Sequence, residues 1–166
     1  MPNWCSNSVK MFHELKEKVD ALEMELQKGD DAQLFNHLIP RPLEEEENWY
    51  MWNVNNWGSK WDATVYDWER IDDHTITISF DTAWSPPSAL FETLSDEEWI
   101  IDAFYHEPGM GFIGKFENGI DEFYEYDLSD LESIKELPED VIEYGNLIEE
   151  HEMWVSDNEE YNEEDE

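Results

Sequence analysis

The sequence predicts an α+β fold in which helices pack on one face of an antiparallel sheet, followed by a hairpin and acidic helices. Three observations carry this expectation. Two-residue and helical periodicities alternate from Cys5 to His106, Asn118-Gly119 marks a tight hairpin, and from Ser129 onward the pattern turns helical.

Cys5 to Phe12 predicts a first strand. Glu14 to Lys28 predicts a helix, because Leu15, Val19, Leu22 and Leu26 recur at spacings of four, three and four and make one apolar stripe. Gly29 stands where a C-cap belongs. Leu34 to Pro42 reads as a proline-punctuated connection, followed by the acidic run Glu44 to Glu47. Trp61 to Glu69 predicts a second strand and His74 to Phe80 a third, in which Ile76, Ile78 and Phe80 alternate with Thr75, Thr77 and Ser79. Ser85-Pro86-Pro87 supplies an N-cap and a proline at the first helical position, and Leu90, Phe91 and Leu94 lie on the helix over 86–95. Trp99 to His106 predicts a fourth strand.

The order strand, helix, strand, strand, helix, strand is ferredoxin-like, βαββαβ. Both helices belong on one face. The added hairpin turns at Asn118-Gly119, since both central positions of a type I′ turn need positive φ, and counting outward places Lys115 opposite Glu122. Ser129 to Glu132 has capping-box spacing. Pro138-Glu139-Asp140 starts a short helix carrying Val141, Tyr144 and Ile148. The expected organisation is a ferredoxin-like domain with its hairpin over 1–126, an acidic helical extension packed on it over 127–156, and a disordered acidic tail over 157–166.

The length of 166 residues suits one domain. A hydrophobic fraction of 40% with nine Trp is enough for a core and excludes wholesale disorder. No apolar run spans a membrane, and Met1-Pro2-Asn3-Trp4-Cys5 lacks the basic and apolar regions of a signal peptide. The single Cys5 makes no internal disulfide, so a cytoplasmic location is the expectation. The outstanding feature is charge: 44 Asp and Glu against nine Lys and Arg give a net of −35. Residues 120–166 hold 20 of the acids and one Lys. Such a surface repels nucleic acid and anionic membrane and suits a basic protein surface. Adaptation to high salt and simple solubility are the plainer readings.

Recognised chemistry is sparse. Gly109-Met110-Gly111-Phe112-Ile113-Gly114 spells G-x-G-x-x-G but precedes a hairpin instead of opening a helix, so close strand packing explains it better than a phosphate. His13, His37, His74, His106 and His151 are scattered, one Cys builds no zinc site, and no EF-hand, P-loop or G-x-S-x-G occurs. Cys5 beside His106 would make a nucleophile and base; the alternative is a buried free thiol. No enzyme activity, cofactor or metal is expected.

Four segments, Met1-Pro2-Asn3-Trp4-Cys5-Ser6-Asn7, Asn56-Trp57-Gly58-Ser59-Lys60-Trp61-Asp62-Ala63, Thr82-Ala83-Trp84-Ser85-Pro86-Pro87 and Tyr105-His106-Glu107-Pro108-Gly109, resemble the YubB-like ferredoxin-fold family found mainly on plasmids and phages. The resemblance covers residues 1 to about 114. It implies the fold and a mobile-element origin, and no reaction.

In ferredoxin-like topology the first two segments precede strands one and two, while the others follow the oppositely running strands three and four. All four then fall at one end of the sheet. That end gathers Asn3, Trp4, Trp57, Lys60, Trp61, Asp62, Trp84, Ser85 and Glu107, either as a ligand or peptide pocket or as aromatic closure of the core with Lys60 held by Asp62 or Glu107. The expected function is a phage or mobile-element protein that binds and inhibits a host protein with a basic surface, with no direct contact to nucleic acid or membrane. Asp130, Glu132, Glu136, Glu139, Asp140 and Glu143 are the candidate contact acids. One version is DNA mimicry, since 35 charges correspond to roughly 60 Å of duplex; another targets a host protease. A small-molecule or peptide domain using the Trp-rich end is the alternative, and homodimerisation is left open.

Overall fold

The computed structural model of the protein describes residues 3–164. Six strands, β1 (Trp4–Phe12), β2 (Thr64–Arg70), β3 (Thr75–Ala83), β4 (Ile100–Glu107), β5 (Phe112–Glu117) and β6 (Ile120–Glu125), form one sheet in the order β2-β3-β1-β4-β5-β6. Every neighbouring pair is antiparallel. Strands β1 and β2 therefore point the same way, and β3 and β4 point the other. The order of the first four strands is that of the ferredoxin-like fold, and the hairpin β5–β6 extends it at the β4 edge.

Strict alternation along β1 sends Cys5, Asn7, Val9 and Met11 to one face. On that face lie α1 (Lys16–Leu26), α2 (Leu34–Leu38), α3 (Trp49–Trp57) and α4 (Ser88–Asp96). Val19, Leu22 and Leu26 of α1 and Leu90, Phe91 and Leu94 of α4 join Ile76, Ile78, Phe80, Ile101 and Phe116 in the main core. Each such side chain contributes roughly 1.5–3 kcal/mol when fully buried. The opposite face carries a smaller core. Ile113 and Phe104 of the sheet meet Ile134 of α5 (Leu131–Lys135), Val141 of α6 (Glu139–Gly145) and Leu147 of α7 (Leu147–Glu164). Tyr144 stacks on Phe104 at 5.0 Å there.

The hairpin forms as its sequence predicts. Asn118 and Gly119 have φ of 54° and 76°, and Lys115 faces Glu122. Other boundaries move for local reasons. Helix α1 starts later because the Leu15 N–H donates to Nδ1 of His13, and Leu15 is left 48% exposed as the N-cap, off the apolar stripe. Gln27 is its C-cap, and Gly29 uses its positive φ in the following 3-10 turn. Strand β2 begins at Thr64, not Trp61, and carries a bulge at Tyr66. Ser85 does not cap α4: its hydroxyl donates to the Gly58 carbonyl at 2.9 Å, and Pro87 takes the cap position. Asp130, not Ser129, caps α5 through the Glu132 N–H, while Ser129 turns to Asp127. Asn146 in the left-handed region separates α6 from α7, so Ile148 lies on α7.

Two expectations need larger correction. The segment expected as a connection and an acidic run holds α2 and a 3-10 helix over Leu43–Asn48, and α3 follows where the sequence was assigned no element. The cap that starts α2 comes from Asp62, so it is invisible to a local reading. Residues 157–164, expected as a disordered tail, continue α7; a helix already held by Leu147 propagates at one hydrogen bond per residue. Residues 165–166 lie outside the described residues.

Candidate functional site

The shared end is assembled from hydrogen bonds and ring contacts between the segments. The Trp84 N–H donates to the Asn3 carbonyl at 2.8 Å, which extends the pairing of β1 with β3. The Ser85 hydroxyl reaches Gly58, and the rings of Trp4 and Trp61 lie 6.3 Å apart. A side chain added at Gly109 would touch both Glu107 and Asn3.

The nine expected residues divide by role. Trp57 belongs to the core: it is buried, packs on Phe35 at 5.8 Å and Trp52 at 5.5 Å, and donates its indole N–H to the Ile39 carbonyl. Glu107 is also buried, and it accepts the backbone N–H groups of Gly109 and Met110 at 2.8 and 2.7 Å. Asp62 caps α2 through Phe35 and Asn36 and also accepts the Ala63 N–H. Burial holds its carboxyl above the usual range against these donors. Lys60 pairs with neither acid. Its Nζ stands 4.7 Å from the Trp61 ring and 5.5 Å from that of Tyr50, a cation–π arrangement. Trp4, Trp61 and Trp84 keep large exposed areas.

Trp84 is the most unusual of these. The Ser85 N–H donates to the Ala83 carbonyl around it at 2.9 Å, and its φ is +71°. This is the positive-φ γ-turn, a rare and strained form. The indole is 51% exposed, so burial does not offset the strain. Trp84→Gly is therefore expected to be more stable than Trp84→Ala by roughly 1 kcal/mol, since glycine takes positive φ without a Cβ clash. Urea midpoints of the two variants measure this, and equal midpoints would show that the turn stores no strain.

A cavity of about 280 Å³ opens beside this end, between α2, α3 and the turn into β2. Trp57, Trp61 and Asp62 line it with Asn36, Arg41 and Trp49, which the sequence reading did not single out. Arg41 donates to the Asn53 side-chain oxygen at 2.9 Å and lies over Trp57 at 6.0 Å. Asn36 and Arg41 fall in the expected connection and Trp49 in a stretch assigned to no element; the spacing of Trp49, Asn53 and Trp57, four and four, is the signal that places these three on one helical face.

Cys5 and His106 do not form a pair. Cys5 faces the helix layer, where burial pushes its thiol up to about 12. His106 stands on the other face, bonded to the Tyr126 hydroxyl at 2.6 Å, with its pKa lowered by burial. The glycine-rich run serves strand packing: a side chain at Gly114 would strike Tyr105 and the Glu122 carbonyl, and one at Gly111 the Tyr126 carbonyl. Among the described residues no cluster of His, Cys, Asp and Glu suits a metal, and no helix is long and apolar enough to cross a membrane.

Of the acids singled out in the extension, Asp130 is spent on the α5 cap, and Asp140 binds Lys115 at 2.9 Å. Glu132 lies 3.9 Å from Lys135. Glu136, Glu139 and Glu143 are exposed, as are Glu149, Glu150 and Glu152 on α7. Asp20, Glu23, Glu25, Glu122, Glu132 and Asp140 are the carboxylates that meet a Lys or Arg among the described residues.

Comparison with known proteins adds the family. No curated protein matches the chain. The chain is similar to the crystal structure of protein api92 from Yersinia pseudotuberculosis, with 22% identity and a TM-score of 0.42 over 56% of this chain and 39% of that one. The chain thus spans well under half of that protein's length. A family model described as the ferredoxin-like domain in Api92-like protein matches residues 60–165. That match includes the acidic extension, which the four resembling segments do not reach, and it covers more than half of the sequence: the chain belongs to the family of the ferredoxin-like domain in Api92-like protein.

Proposed function

We propose that this chain is a phage or plasmid protein that binds a basic surface on a host protein and blocks it, without catalysing a reaction. The observation that carries the reading is that six acids of the extension stand exposed on ordered elements and meet no Lys or Arg among the described residues. Glu136, Glu139 and Glu143 on and beside α6, and Glu149, Glu150 and Glu152 on α7, are exposed on helices anchored to the sheet by Ile134, Val141 and Leu147. A rigid anionic face holds its charges in register for a partner, so less ordering entropy opposes binding than with a disordered tail. Steering by such a face accelerates association and makes it salt-sensitive.

The test is capture from host lysate with the full chain at about 50 and about 500 mM salt, a range over which exposed charges lose most of their reach. A variant with Glu136, Glu139, Glu143, Glu149, Glu150 and Glu152 changed to Gln is run beside it. A partner retained at low salt, released at high salt and lost with the variant supports the proposal. Retention that ignores both salt and the substitutions overturns it. Competition with labelled DNA for the captured protein then separates mimicry from plain inhibition: simultaneous binding of both rules mimicry out.

A further inference from the structure

We infer that the cavity at the Trp-rich end is a saccharide-binding site, taking a neutral sugar ring in the pocket and further rings along Trp61 and Trp4. This site lies apart from the acidic extension and does not depend on the role proposed for it. Its lining is aromatic: Trp49 and Trp61, which are 37% and 39% exposed, and the buried Trp57. Indoles that hold this much surface in water at the mouth of a concave site offer a flat platform for the C–H face of a sugar ring.

The polar groups decide the charge of the ligand. Arg41 meets no carboxylate among the described residues; its side-chain contact is the neutral amide of Asn53 at 2.9 Å. The other N–H donors of its guanidinium make no hydrogen bond among the described residues. The Asp62 carboxylate accepts three backbone N–H groups and has lone-pair capacity left. A cationic ligand would meet Arg41 and the Lys60 ammonium over Trp61. An anionic ligand would meet Asp62 and the field of a chain carrying −35. An uncharged hydroxyl, which both donates and accepts, is suited to Arg41, Asp62 and the Asn36 amide together. The cavity of about 280 Å³ is of the size for one sugar ring. Trp4 stands 6.3 Å from Trp61, just outside it, so the aromatic surface continues past the pocket.

Intrinsic tryptophan fluorescence of the full chain tests this. The probes are mono- and trisaccharides of glucose, galactose, mannose and N-acetylglucosamine, with AMP, choline and a proline-rich peptide as the competing chemistries. The expected result is a saturable change with at least one sugar, with Kd on the order of 1 mM for the monosaccharide and roughly tenfold tighter for its trisaccharide. Trp61→Ala and Trp49→Ala each weaken binding at least about tenfold while far-UV circular dichroism is unchanged, and Trp154→Ala on α7 leaves it as it was. No saturable response to any sugar overturns the inference. So does a response to AMP, choline or the peptide alone, which would reassign the pocket to that chemistry. Sugar binding that survives both pocket substitutions overturns the location.

Discussion

Trp57→Ala is expected to lower stability by about 3–5 kcal/mol, the range for removing a large aromatic from a core. Trp57 is 2% exposed, packs against Phe35 and Trp52, and gives its indole N–H to the Ile39 carbonyl at 3.0 Å. Alanine leaves a cavity that α2 and α3 collapse into only in part, and it leaves that carbonyl without its donor. It also removes the ring beneath Arg41. Against a typical total of about 5–15 kcal/mol, the loss brings the chain near its unfolding threshold. Trp57→Phe separates the parts: it keeps most of the packing and deletes the N–H, and about 1–2 kcal/mol is expected. Urea denaturation measures both. A loss under about 1 kcal/mol for the alanine variant would show that this tryptophan only covers the core and does not fill it.

The sequence made the sheet legible where pattern and turn chemistry were local. Alternation marked β3, and Asn118-Gly119 set a register that puts Lys115 opposite Glu122. The common end of the four segments also followed from strand direction, and the Asn3–Trp84 and Ser85–Gly58 bonds carry it. What stayed hidden depended on partners distant in sequence. Asp62 starts α2 from 26 and 27 residues away, so no local cap announced that helix. Arg41 came with it, and with Arg41 the polar side of the cavity. Glu107 looked like a ligand-facing carboxylate because its residue type suggests function, yet it is buried and turned to the backbone N–H groups of Gly109 and Met110. The strain at Trp84 was equally illegible, since a φ value has no signature in an isolated Trp-Ser pair.

The second large effect is expected from salt and pH acting on the whole chain. A net charge of −35 is carried by a globule with a radius of gyration of roughly 15 Å. At ~0.01 M salt the screening length is ~30 Å, so carboxylates across the molecule repel one another; at ~1 M it is ~3 Å, and only near neighbours do. The unfolded chain spreads the same charge wider, so salt favours the folded state. A relief of about 3–5 kcal/mol corresponds to a rise in Tm of roughly 10 °C for a chain of this length. The pH dependence has two edges. Hydrogen bonds from Lys16 to Asp20, from the His74 N–H to Asp72, from Ser129 to Asp127 and from Lys115 to Asp140 hold these carboxyls below their ordinary value of 3.8. Their folded pKa values are depressed, so the stability they add is present above 3.8 and is lost as pH falls through the lower folded values. At the alkaline edge, burial raises Cys5 from 9.0, and Tyr126 and Tyr144 from 10.0, each to about 12. The unfolded chain ionises these groups first, so their contribution is whole below 9.0 and disappears as pH climbs toward about 12. Between the edges, repulsion among the unpaired acids falls as they begin to protonate. At low salt the Tm is therefore expected to be higher near about pH 5 than near about pH 8, with the difference shrinking at ~1 M salt. Calorimetry over this grid measures it. A Tm at neutral pH that does not move with salt would show that the acids stand too far apart to strain the fold, and that their charge imposes no stability cost a partner would relieve.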